Sequence, residues 1–525
     1  MSRRSRVIAG AVCRLSGRRP NLTGMQAPLL RSALIWMSLS WSLPSMGAIA
    51  FCPGPDERYR SSRYDVQSAD GVSAFVYHSP NAWTNIPAKD GSTWPLPVMS
   101  AGNHWVGLSA DSEVSLTIWL LGIEATRAEL LPARPGNAVR VLADGSVRVR
   151  LTLSGDWPGY YFVRINGDYG DKHPLFIFAD PPETDVPTRG PGVHFFEAGI
   201  HDIGPHYAIR SGETVYLAPG AVVRGTLTAR GSNIRICGRG VLSGELLQGE
   251  WIRHKRGLVD TPKDARAWGI APMVWNDAWQ GSTSVEGITI IDAPSYNLAL
   301  TAKLTVRNVK ILSWNYSTDG VSGGPGLVEH CFFKVNDDVF TLYQSNRTLR
   351  NLVIWKQMNQ AVFQLGYGYP QSVSNILVEK IDIIRDETET QNGHRGIIVL
   401  SASKGCAFSN VLFQEITVHG DTLNLLAIDN LDQDTPWAQK IRNASLREIQ
   451  LTLRRVTVSG TERGQWWTPF MDRRGQPMRS RLRTADSGRI EVLFDDVSIN
   501  GVRLRSEKDF PHGLETEGEV VLTFR

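Results

Sequence analysis

Cysteine is scarce in this chain of 525 residues, with five in all. The four beyond residue 50 (Cys52, Cys237, Cys331, Cys406) lie far apart, with no CxxC and no histidine spacing that suggests zinc. Two readings of them stay open, disulfides or isolated buried thiols. No apolar run reaches the roughly 20 residues needed to span a bilayer. The first fifty residues contain no lysine and no acid, but seven arginines (Arg3, Arg4, Arg6, Arg14, Arg18, Arg19, Arg31). These precede the apolar "ALIWMSLSWSL" and the small-residue ending "GAIA". This is the layout of a secretory signal, residues 1–50, cleaved after Ala50, with Met25 as a candidate true start. A membrane anchor is the competing reading. Without those seven charges the formal net charge of +4 becomes −3. The basic excess therefore belongs to the leader, and a nucleic-acid or membrane-surface partner loses its support. The expected location is secreted or periplasmic.

A helical period is also missing. From residue 51 to about 185, alternating runs such as "EVSLTIWLLGI", "GSVRVRLTL" and "GYYFVRING" are punctuated by Gly, Pro, Asn and Asp. That spacing predicts an antiparallel β-sandwich. The proline-rich "DPPETDVPTRGPG" reads as the linker out of it. Residues 186–525 then carry very short strands joined at Gly and Asn corners, with matching asparagines at Asn308, Asn351, Asn375 and Asn410. Short strands without helices, in coils of roughly twenty to thirty residues, predict a right-handed parallel β-helix. A propeller is the runner-up, but its even four-stranded blades do not fit the uneven spacing.

In such a stack, residues one coil apart lie about 4.8 Å apart. Asp319 in "NYSTDGVSG" precedes Asp337 and Asp338 in "KVNDDVFTLY" by 18 and 19 residues, close to one coil. The three carboxylates are thus expected to converge at a corner, with side chains facing outward. Converging acids without a histidine cluster suit glycosidic cleavage, in which one acid protonates the leaving oxygen and a base activates water. The plainer alternative is a TDG turn and an acid pair that caps a corner. Trp314 and Trp355 stand near the carboxylate coils, where indole faces could stack on sugar rings.

The order "STDG", "NDD", "LYQSN", "LRNLVIWK" and "VFQLGY" resembles glycoside hydrolase family 49, the dextranases and isopullulanases. The resemblance covers about residues 185 to 430. It implies an inverting hydrolase of an α-glucan such as dextran, with Asp337 as general acid and Asp319 and Asp338 on the attacking water. The matching segments give Asn336, Tyr343, Lys356, Gln364 and Tyr367, with Trp314 and Trp355, as the expected substrate-binding residues. No cofactor and no metal are implied, the partner is a polysaccharide, and a monomer is expected. Asn336, Val339 and Tyr367 depart from the family pattern where a substrate would be read, which puts dextran specificity in doubt.

Two other readings remain. A polygalacturonase-like enzyme would carry a GHG segment after the acid pair, where this chain has "LGYGYP", and would need cationic subsites such as Lys356, Arg385 and Arg395. A non-catalytic glycan-binding β-helix would use the aspartates for calcium, which wants six or more oxygens from a compact acidic loop, and no such loop is present.

Overall fold

The structure is a computed structural model that describes residues 49–79, 85–87, 93–95, 102–153, 159–247, 272–278, 280–315, 317–366, 371–388, 396–401, 407–429, 448–462, 479–484 and 488–525. Residues 1–48 of the expected leader, Tyr367, Arg395 and Cys406 lie outside the described residues, whereas Ala50, the last residue of that leader, pairs with Ser109 in the first strand. Among the described residues no helix is long and apolar enough to cross a membrane.

The fold is all-β. Two sheets form the N-terminal sandwich. One runs Ala50–Phe51, His104–Ser109, Leu175–Asp180, Gly159–Ile165, Ala128–Leu131, with Tyr77–His78 beside His104–Ser109. The other runs Tyr64–Ser68, Glu113–Leu120, Val147–Thr152, Ala138–Val141. Strict alternation in Glu113–Leu120 sends Val114, Leu116, Ile118 and Leu120 to the interior, as a period of two requires of a sheet with one wet face. Leu175–Asp180 is buried at every position. One of its faces closes the sandwich and the other packs on the coils that follow.

From Val193 onward a single sheet winds along the chain by successive parallel pairings, apart from the antiparallel pair of Arg489–Ile499 with Val502–Arg503 near its end. Each coil stacks its apolar residues on those of the coil before, as in the column Val306, Val328, Leu349, Val378, Phe413, Leu453, Phe494 and Phe524. All are buried except the partly buried Phe524 at the end of the stack. One bend repeats through the stack in the left-handed backbone region, at Asn308, His330, Asn351, Lys380, Glu415, Arg455 and Asp496, with φ between 50° and 58°. The four asparagines singled out in the sequence do not share one corner. Asn308 and Asn351 occupy this bend, whereas Asn375 and Asn410 stack on Asn346 at another, joined through their side-chain amides. Asparagine tolerates positive φ at either bend, which is why residue type alone merged the two.

The sandwich lies along one side of the stack. Trp105, Tyr160, Phe162, Phe176 and Phe178 pack against Val222, Ile291, Leu312, Phe332, Val353, Trp355 and Ile384 from successive coils. Within this seam Asp180 accepts from Lys310 Nζ at 2.6 Å and from the Tyr160 hydroxyl at 2.5 Å. Cys52, Cys237 and Cys331 are free and buried. Burial pushes the Cys331 thiol up to about 12, so for these three the buried-thiol reading holds.

Candidate functional site

Asn336 to Val339 join Gly326–Val335 to Phe340–Thr341. Val335, Val339 and Phe340 are sunk in the core, which pins the corner at both ends and leaves Asn336, Asp337 and Asp338 to the outer side. Val321 lies opposite Phe340, and Gly320 donates its N–H to the Asp338 carbonyl at 2.9 Å. Continuing that register back by two residues sets Asp319 opposite Asp338 on the neighbouring coil. Oxygens of Asp319, Asp337 and Asp338 come within 4.8 Å of one another. The expected convergence is present, but the carboxylates are not openly exposed, at 5%, 8% and 9% respectively.

Each carboxylate has fixed donors. Asp337 accepts from Ser317 N–H at 3.0 Å and Asn359 Nδ2 at 2.6 Å through Oδ2, and from Asp338 N–H at 3.0 Å through Oδ1. Asp338 Oδ1 accepts from Ala361 N–H at 3.0 Å, and Asp319 Oδ2 accepts from the Ser322 hydroxyl at 3.3 Å. Burial first, then the charges of Asp337 and Asp338, hold the Asp319 carboxyl well above the usual carboxylate range. Burial and two neighbouring negative charges thus favour the protonated form of Asp319.

Of the expected substrate-binding residues that are described, Tyr343 alone is half-exposed near the acids. Its phenol is held well above its ordinary value by burial and then by Asp338, Asp319, Tyr296 and Asp337. Asn336 is a bracket. Its Nδ2 donates to the Trp314 carbonyl at 2.9 Å and its Oδ1 accepts from Asn359 N–H at 3.1 Å. Trp314 is buried beneath the site, with Nε1 donating to Asp292 at 2.9 Å. Trp355 is a correction: it is fully buried in the seam, edge-on to Phe162 and Phe176, because its strand position turns it toward the sandwich. Lys356 is a second correction. Its fully buried ammonium donates to the carbonyls of Gln357 and Asn359, where it braces the neighbouring corner. Gln364, fully buried, donates to the Gly366 carbonyl at 2.5 Å and is likewise a scaffold residue. Arg385, proposed as a cationic subsite, is committed to Asp171 and Glu387.

Asn359 and Tyr296 were missed. The signal for Asn359 was its place in "KQMNQ", one coil after the acid pair. A hydrogen bond to a charged group contributes about 1.5–3 kcal/mol. Asn359→Ala is therefore expected to lower kcat roughly tenfold or more with little change in KM, measured by steady-state kinetics. Equal kcat in both proteins would contradict that.

No family model matches the chain. A dextranase of Arthrobacter sp. is 31% identical over 410 residues, covering 62% of this chain and 63% of that protein. A dextranase of Arthrobacter globiformis is 27% identical over 463 residues, covering 70% and 71%. An isopullulanase of Aspergillus niger is 26% identical over 311 residues, covering 53% and 51%. The chain thus spans between about half and seven-tenths of the length of these three relatives. Among solved structures, Dex49A from Penicillium minioluteum aligns over 90% of this chain and 96% of its own with a TM-score of 0.68 at 16% identity, a likeness of fold: a β-sandwich followed by a right-handed parallel β-helix. With dextranases and an isopullulanase as its relatives, and with this fold, the chain is similar to glycoside hydrolase family 49.

Proposed function

We propose that the chain is an exported glycoside hydrolase that cleaves an α-glucan such as dextran. The convergence of Asp319, Asp337 and Asp338 at one corner carries this reading. The names of the relatives supply the substrate class. In the proposed reaction Asp337 protonates the leaving glycosidic oxygen, while Asp319 and Asp338, side by side on adjacent coils, hold and deprotonate the attacking water. A proton favoured on Asp319 has only a short path to Asp337, whose carboxyl oxygen lies within 4.8 Å.

We propose inversion at the anomeric carbon. For two isolated carboxyls, inversion goes with a separation of roughly 6.5–9.5 Å and retention with about 5–5.5 Å. Oxygens within 4.8 Å fall nearer the second class. The support for inversion is the third acid, because two carboxylates in register can share one water while the proton comes from Asp337 at their side. NMR of freshly released reducing ends tests it. Appearance of the opposite anomer first is the expected result, and first release of the substrate's own anomer overturns inversion while leaving hydrolysis.

The uronide reading is weakened by Lys356 and Arg385, which are both engaged in the fold. Against the calcium-dependent binding reading, dextran hydrolysis is expected to be unchanged after EDTA dialysis, measured as reducing sugar. Loss that calcium restores would overturn the metal-free mechanism.

A further inference from the structure

The indoles expected at the sugar surface are buried, yet a cleft that grips a neutral polysaccharide needs a flat apolar face near the scissile bond. The coil before Asp319 supplies one. Leu298 lies opposite Val321, so the register that aligns Asp319 with Asp338 sets Tyr296 opposite Asp319. Asn297 clamps this alignment, donating N–H and Nδ2 to the Asp319 carbonyl, each at 2.9 Å, and accepting from the Ser313 hydroxyl at 2.7 Å. Tyr296 itself fixes Met273, whose N–H donates to the Tyr296 carbonyl at 2.9 Å. The position is rigid, and the side chain is 39% exposed. Among the described residues every other exposed large apolar side chain is aliphatic (Val72, Leu121, Ile123, Val186, Leu246, Val502, Val521).

We infer that Tyr296 is the platform on which a neutral pyranose ring stacks in the subsite beside the scissile bond, one coil from Asp319. Tyr343, half-buried, is near enough to Tyr296 and the acids for their charges to raise its phenol. The strand spacing of about 4.8 Å between Tyr296 and Asp319 is on the scale of one sugar ring, so a ring seated on Tyr296 presents its linkage to the acids. The inference rests on the hydrolase reading and deepens it by assigning a residue that selects for uncharged, stackable sugars.

The test uses the full chain and dextran-derived tetrasaccharide as probe. Tyr296→Ala is expected to raise KM on dextran roughly tenfold, with kcat within about twofold, from the stacking and burial lost. Tetrasaccharide affinity of the Asp337→Asn protein should weaken by a similar factor when Tyr296→Ala is added. Tyr296→Phe keeps the ring without the hydroxyl and should retain near-normal KM. Unchanged KM and affinity in Tyr296→Ala overturn the platform while leaving the hydrolase reading intact. A loss as large in Tyr296→Phe as in Tyr296→Ala overturns stacking in favour of a hydroxyl contact. If the wild-type protein releases no reducing sugar from dextran or pullulan, the hydrolase reading fails and the platform fails with it.

Discussion

Asp337→Asn is expected to lower kcat on dextran by about 10² to 10⁴, the usual contribution of a general acid. The amide keeps the shape of the carboxyl and cannot deliver a proton. Its oxygen can still accept from Ser317 N–H and Asn359 Nδ2, but its nitrogen then faces the Asp338 N–H, so one local hydrogen bond is lost. The thermal midpoint should therefore fall only slightly, and oligosaccharide binding by calorimetry should persist. Near-normal turnover would sink the assignment of the acid. Asp319→Asn and Asp338→Asn should each lower the rate by orders of magnitude as well. With the role on water proposed for them, they should respond differently to substrates with activated leaving groups. An aryl glycoside that needs no protonation is expected to rescue Asp337→Asn and to leave those two variants slow.

The second large effect concerns stability against pH. Asp292 is wholly buried at the seam, where both its oxygens accept from the Ser79 hydroxyl of the sandwich and Oδ1 accepts from Trp314 Nε1. Burial raises its carboxyl to about 7, and these hydrogen bonds only partly oppose that. In the unfolded chain an aspartate titrates near 4. Between about pH 4 and pH 7 the folded state therefore binds more protons, so stability is full below about 4 and declines as pH rises through 7. Three units at 1.36 kcal/mol each give about 4 kcal/mol. Asp292→Asn, isosteric and without charge, should remove this slope. Unfolding free energies from urea titrations at pH 4.5 and 7.5 should differ by several kcal/mol more in wild type than in the variant. Parallel curves would show that Asp292 titrates normally.

Much of the fold was legible because sheet periodicity and Gly and Asn corners are local signals. The three acids were legible because spacing in a stack converts directly into distance, and 19 residues is the register that pairs Val321 with Phe340. The substrate wall was not. A motif such as "LRNLVIWK" marks a coil, but which face each side chain takes depends on what covers that coil. Trp355 turned inward because the aromatic face of the sandwich was waiting for it. Lys356 was equally unreadable, since nothing local says that its ammonium will be spent on backbone carbonyls. Tyr296 escaped notice because "PSYNLAL" carries no acid, and only the register between coils reveals its neighbour.

The seam between sandwich and coils also bears on how the molecule comes apart. A solenoid held only by neighbour contacts can peel from either end. Here Val222, Ile291, Leu312, Phe332, Val353 and Ile384 are fastened to one lateral brace, whereas among the described residues Phe413, Leu453, Phe494 and Phe524 belong to the stacked core and not to that seam. Under heat or pulling force the C-terminal coils should unwind first, one by one, and the braced coils should let go together. The acids stand on braced coils, so catalytic competence should outlast the loss of the far end of the spring.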